Sequence, residues 1–234
     1  VRYLDPAFGT GVFYSALLRC FPQDRIDWAV GYEIDPHYGQ PAREFWEGTP
    51  LALTLGDFTT AVPPSDEKGK ATLVVCNPPY VRHHHLDAAT KQRLRAASVR
   101  ASGVDLNGLT GLYCHFVTLS HAWMGRDALA IWLIPSEFMD VNYGGPLKEY
   151  LLNRVTLMRI HRFDPDHVQF DDALVSSAVV CFRNAEPPNG HLVEFTYGGT
   201  IVKPEQTRLV ARSELRPAAK WTRLAFAPKE STGE

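Results

Sequence analysis

Apolar residues in this chain gather in short runs separated by amphipathic stretches, the alternation of a parallel sheet covered by helices on both faces. The run ending at Leu4 reads as a first strand, and a glycine-bearing turn leads from it into a helix over about Val12 to Cys20. A second strand is predicted from about Trp28 to Ile34, then a helix through Pro41 to Trp46 and a third strand near Leu51 to Leu55. Thr72 to Cys76, rich in strand-compatible residues, reads as a fourth strand, and a long polar, basic helical stretch covers about Asp87 to Arg100.

Leu112, Phe116, Leu119 and Trp123 then recur at helical spacing. Gly125-Arg126-Asp127 reads as the turn into Ala128 to Ile134, an unbroken apolar run suited to a central strand buried on both faces. A helix follows around Pro146 to Leu152, with strands from Val155 to Phe163, Val175 to Phe182 and Leu192 to Tyr197. A boundary is expected near Glu186, dividing a main domain over residues 1–186 from a C-terminal extension over 187–234.

Composition narrows the classes without choosing among them. Hydrophobic residues make up 45% and charged residues 21% of the 234, an ordinary globular balance. No apolar run approaches the length that spans a bilayer. Cys20, Cys76, Cys114 and Cys181 stand singly, with no CxxC pair. That argues against a zinc site or a disulfide framework and suits a reducing cytosol. A net charge of −2 is not that of a basic nucleic-acid binder, so any such affinity is expected to be local or supplied by another domain. The chain opens without an initiator Met inside a predicted strand, so the natural protein is expected to begin earlier.

The first chemical signal is Asp5-Pro6-Ala7-Phe8-Gly9-Thr10-Gly11, between a strand and a helix. Glycines there let the backbone turn sharply and approach a ligand, and the helix start offers free N–H groups. The dinucleotide fingerprint would need a third glycine where Tyr14 stands, which disfavours nicotinamide or flavin. Glu33 follows Gly11 by 33 − 11 = 22 residues, near the offset of roughly 20 at which an acid meets ribose hydroxyls. Asp35 precedes Pro36 and also suits a helix cap. In Gly56-Asp57-Phe58, Asp57 can accept from an adenine amino group and Phe58 can cover the ring. Acids at successive strand ends beside one glycine turn point to one ligand, because parallel sheets bind ligands at those ends.

The second signal is Asn77-Pro78-Pro79-Tyr80, directly after the fourth strand. Two prolines make a rigid turn, and that alone would explain them structurally. The chemistry adds more. An aromatic amine is a poor nucleophile because its lone pair is delocalised into the ring. The Asn77 side-chain oxygen and the Pro78 carbonyl can accept both amino hydrogens, turning the lone pair toward a methyl donor. Pro79 stiffens the loop, and Tyr80 offers a face on which a base can stack.

In this order, these segments together with Tyr32-Glu33-Ile34-Asp35-Pro36 resemble the gamma-class DNA adenine methyltransferases of restriction–modification systems. The extension Val81-Arg82-His83-His84-His85-Leu86 is similar to the PstI/BsuBI-like branch. Ile134-Pro135-Ser136-Glu137-Phe138 and the segment from Phe170 to Val179 agree, so the resemblance spans about Val1 to Arg183. It implies a class I, Rossmann-like, seven-stranded mixed α/β sheet whose last strand is antiparallel, and S-adenosylmethionine as cofactor. The glycine turn and the acids would hold the cofactor. Asn77, Pro78 and Tyr80 would contact a flipped adenine, with Phe170 on its other side. The implied partners are double-stranded DNA, read by a recognition domain for which the residues after Glu186 leave little room, and a cognate restriction endonuclease. The implied setting is a prokaryotic cytoplasm.

Weaker signals stand beside these. Adjacent His83, His84 and His85 point in different directions and do not make a metal site, so no metal is expected. Arg82, Lys91, Arg93, Arg95 and Arg100 either meet phosphates or form a solvated helix face. The absence of a Pro-Cys nucleophile near Asn77 disfavours ring-carbon methylation of cytosine. Two alternatives stay open: methylation of RNA adenine or protein glutamine, which the same tetrapeptide would serve, and a non-catalytic nucleic-acid-binding remnant.

Overall fold

The structure is a computed structural model that describes residues 1–164 and 176–222. Its strands are β1 (Arg2–Asp5), β2 (Trp28–Glu33), β3 (Leu51–Leu55), β4 (Ala71–Cys76), β5 (Met124–Pro135), β6 (Thr156–Arg162), β7 (Ser177–Arg183), β8 (Leu192–Tyr197) and β9 (Gln206–Ala211). The α-helices are α1 (Val12–Cys20), α2 (Pro36–Phe45), α3 (Ala88–Ser102), α4 (Leu112–Leu119) and α5 (Gly145–Asn153). All described strands form one sheet in the order β3-β2-β1-β4-β5-β7-β6-β8-β9.

The first seven strands make the mixed sheet expected from the sequence, with β7 antiparallel to both β5 and β6. Nine strands are described where the resemblance implied seven. The strand read at Leu192 to Tyr197 is β8, which runs parallel to β6, and β9, which the sequence pattern did not announce, pairs antiparallel with β8. Val193, Phe195 and Thr196 of β8 are buried, so this strand completes the core, whereas β9 is a largely exposed edge.

Period-two alternation sorts each central strand between two layers. In β1 and β4, Tyr3, Leu73 and Val75 pack with Tyr14 and Leu17 of α1 and Ala42 of α2. Their neighbours Leu4, Val74 and Cys76 join the larger core with Phe116 and Val117 of α4 and Leu147 and Leu151 of α5. Helices therefore cover both faces.

Helix α2, read through Pro41 to Trp46, begins at Pro36, and Asp35 caps it as its place before Pro36 suggested, its side chain accepting from His37 N (2.8 Å). One local reading is corrected. The turn expected at Gly125-Arg126-Asp127 is a bulge inside β5, where pairing with β4 jumps from Ala71↔Met124 to Leu73↔Leu129. Asp127 takes φ 59° there, and Glu67 and Asn184 satisfy the displaced backbone: Arg126 N donates to Glu67, and the Asn184 amide donates to Met124 O and Gly125 O. The strand read from Val175 to Phe182 is β7 (Ser177–Arg183), and Val175 lies outside the described residues.

What matters for function is the order of β1 and β4. They are neighbours (Leu4↔Val74) although α1, β2, α2 and β3 intervene in sequence. The chain goes from β1 to one side and returns to the other, so the loops after β1 and β4 open a crevice at the carboxyl edge. That is the position at which open α/β sheets bind ligands.

Candidate active site

The loop after β1 is held by its own backbone and by β2. Phe8 N donates to Tyr32 O (2.8 Å) and Gly11 N to Phe8 O (3.0 Å). Gly9 (φ 57°) and Gly11 (φ 89°) occupy the left-handed region, and a Cβ on Gly11 would collide with Trp46 Nε1. Glu33, only 9% exposed, is the strut of the turn. Its Oε2 accepts from Gly9 N and its Oε1 from Asp35 N, each at 2.8 Å. A carboxylate offers about four acceptor positions, so two remain for a vicinal diol.

Asp5 lies under the turn rather than in the crevice. It is fully buried and accepts from Ala7 N (3.2 Å) and from the Tyr3 hydroxyl (3.4 Å). Burial pushes its pKa up to about 7, against the lowering effect of hydrogen bonds from Ala7, Cys76 and Tyr3.

Asp57 caps a short 3₁₀ turn over Phe58–Thr60 and accepts from Thr59 N (2.8 Å) and from Thr59 Oγ1 (2.7 and 2.8 Å). Phe58 is buried, its ring 5.5 Å from Tyr32, 5.6 Å from Phe116 and 5.5 Å from Trp123 between centroids.

After β4, Asn77 is exposed and Pro78 buried. No hydrogen bond from another described residue engages the Asn77 amide. Tyr80 is 37% exposed, and its hydroxyl donates to Leu133 O of β5 (3.0 Å), which fixes the ring edge while leaving a face accessible. Burial pushes the phenol up to about 12, so it remains a donor at physiological pH. Leu112 N donates to Val81 O (2.9 Å), tying this loop to the start of α4.

These strand ends share one cavity of about 510 Å³, within the usual range of roughly 300–1,000 Å³ for a small-molecule site. Pro6, Ala7, Gly9, Glu33, Asp35, Asp57, Phe58, Asn77 and Pro79 line it. Thr10, Gly11, Pro78 and Tyr80 stand outside that lining, as does buried Asp5. Phe170 lies outside the described residues.

The opposite wall was not foreseen. It consists of Leu86, Thr90, Arg93 and Leu94 from α3 and its approach, with Leu112 and Phe116 of α4. The spacing 86, 90, 94 is the signal that could have revealed a turned-in face on a helix read only for its charges. His83, His84 and His85 form a separate 3₁₀ turn. Among the described residues, no cluster of three or more His, Cys, Asp or Glu is placed to hold a metal ion.

The acceptors suit a nucleoside bearing an amino-purine: Glu33 can accept from the diol and Asp57 from the amine, with apolar walls from Phe58, Leu94 and Phe116 for the ring. Asn77 faces the same cavity from the neighbouring strand end.

The family model for Eco57I restriction-modification methylases matches residues 37–170. The chain is 31% identical over 182 residues to the Type II methyltransferase M.AccI of Acinetobacter calcoaceticus, covering 77% of this chain and 32% of that protein. It thus spans about a third of that relative's length. Among solved structures, a class I S-adenosylmethionine-dependent methyltransferase from Listeria monocytogenes superposes with a TM-score of 0.67 at 12% identity, over 87% of this chain and 60% of that one. The type IIG restriction endonuclease BpuSI superposes with a TM-score of 0.74 at 17% identity, over 95% of this chain and 29% of that one. At such identities the likeness is one of fold, and the fold is that of class I methyltransferases.

Proposed function

The chain belongs to the Eco57I restriction-modification methylase family, and from that premise we propose that it is the catalytic part of a DNA adenine-N6 methyltransferase with S-adenosylmethionine as cofactor. The observation that carries the reading is the shared cavity. The acids suited to a nucleoside, Glu33 and Asp57, and the amide suited to a reacting amine, Asn77, line the same cavity at the carboxyl edge of the sheet.

When bound, S-adenosylmethionine supplies an electrophilic methyl group. The chain supplies position. Glu33 has two acceptor sites left for the ribose hydroxyls, and its bonds from Gly9 N and Asp35 N hold it rigid for that task. Asn77 Oδ1 and the Pro78 carbonyl accept the two hydrogens of the adenine amine, which turns its lone pair toward the cavity. Pro79 restricts the loop so that this orientation is set in advance. Tyr80, pinned at its hydroxyl, stacks on the extruded base. Transfer would form the N6–methyl bond as the cofactor's sulfur–methyl bond breaks, leaving S-adenosylhomocysteine and releasing one amine proton, so no covalent bond between base and protein would be required.

DNA affinity for the whole protein is assigned to a recognition domain beyond this chain, in keeping with the net charge of −2 here. BpuSI combines this fold with a restriction endonuclease in its name, which supports a nuclease as partner or neighbour.

The test is transfer of labelled methyl from S-adenosylmethionine by the protein that carries this chain to duplex DNA, RNA and protein offered in parallel, followed by nucleoside and amino-acid analysis. Label in N6-methyladenine is expected. Label confined to cytosine, to RNA or to protein glutamine would overturn the assignment.

A further inference from the structure

We propose that Arg93 is a positioning residue for the cofactor's adenine amino group, acting through Thr59 to set the direction in which Asp57 presents its carboxylate. This rests on reading the cavity as an S-adenosylmethionine site. Arg93 belongs to the basic run of α3, yet it behaves unlike its neighbour. Arg95 is engaged by Asp105 on the surface. Arg93 instead turns toward the loop after β3, where Nη1 donates to Thr59 O and Nη2 to Thr59 Oγ1, each at 3.1 Å. Nη2 also lies 3.6 Å from Asp57 Oδ2.

The chemistry of these groups makes the relay directional. A guanidinium only donates, so the Thr59 hydroxyl must accept from it. Its single proton is then left for Asp57, at 2.7 Å from Oδ1 and 2.8 Å from Oδ2. Thr59 N takes a further acceptor site on Oδ1 (2.8 Å). Oδ2 is therefore the oxygen with a site to spare for an incoming amine. Remove Arg93 and the hydroxyl is free to rotate, the carboxylate loses its fixed direction, and α3 loses its tie to the strand end that it faces across the cavity. The Arg93 side chain is 41% exposed, so its ion pair with Asp57 contributes little to stability. Orientation is the larger effect.

Calorimetry with two ligands tests this: S-adenosylhomocysteine, and S-inosylhomocysteine, in which a carbonyl replaces the amino group. The wild-type protein should prefer the adenosyl form by about tenfold to a hundredfold, the worth of a hydrogen bond to a charged group. Arg93→Met should bring that ratio to within about threefold, and Thr59→Val, which removes the hydroxyl but keeps the backbone N–H, should do the same. In an Asp57→Ala background, Arg93→Met should change the ratio no further. Arg95→Met, which removes a cation from the same helix, should keep the wild-type ratio. Equal weakening of both ligands by Arg93→Met, or a wild-type ratio in Thr59→Val, overturns the relay while leaving the cofactor site intact. A wild-type protein that binds neither ligand overturns the reading of the cavity, and the relay with it.

Discussion

Replacing Glu33 by Gln isolates the strut of the glycine turn with almost no change of shape. Both carboxylate oxygens accept backbone N–H groups at 2.8 Å, one from Gly9 and one from Asp35. A glutamine amide has only one acceptor atom, so whichever way it flips, one N–H faces its NH₂ and loses its bond. A hydrogen bond to a charged group contributes about 1.5–3 kcal/mol, and Glu33 is buried enough for most of that to be felt. Two consequences separate in experiment. Without ligand, the lost bond should lower stability by about 1–2 kcal/mol, read as a fall in melting temperature. With ligand, the diol loses one acceptor and the turn loses its preset form, so S-adenosylhomocysteine affinity measured by calorimetry should fall by about ten- to a hundredfold. Binding within twofold of wild type, with unchanged melting, would refute the claim that Glu33 both braces the turn and meets the cofactor.

Three further outcomes are expected. Asn77→Ala should slow single-turnover methyl transfer by about a hundred- to a thousandfold while leaving S-adenosylhomocysteine affinity unchanged; near-wild-type rates would return Asn-Pro-Pro-Tyr to the status of a rigid turn. Tyr80→Phe keeps the stacking face but deletes the bond to Leu133 O, so it should cost about 1 kcal/mol in capture of an extruded base. Tyr80→Ala should cost about 1–3 kcal/mol, and equal defects in the two variants would contradict the stacking role. The pKa of Asp5 is raised from 3.8 to about 7 in the folded chain, so folding binds its proton more tightly. Its contribution to stability is complete below 3.8 and is lost as pH rises toward about 7. Asp5→Asn should flatten the fall in melting temperature across that window, and an unchanged pH profile would show that Asp5 does not cause it.

Much of the site was legible because its parts are contiguous. The glycine turn, Glu33, Asp57 and Asn77 each close a strand that its apolar run announces, and parallel strands place their carboxyl ends at one edge whatever their order. The helix cap at Asp35 was equally local. Other features follow from how distant segments meet. Arg93 looked like one cation in a basic stretch until α3 folded back across the crevice and brought it to Thr59, 34 residues earlier in the chain. Asp5 read as a ligand for the cofactor, yet the Tyr3–Asp5–Ala7 bonds draw its side chain beneath the turn. The hydroxyl of Tyr80 acquired a role only when β5 came alongside β4 and offered Leu133 O. Strand β9 carries no apolar alternation, since an edge strand need not bury a face, and only its pairing with β8 defines it. Local patterns record what each segment buries and where it turns. Which side chain faces which across the crevice is set by packing between segments far apart in the chain, and no periodicity along the sequence encodes that.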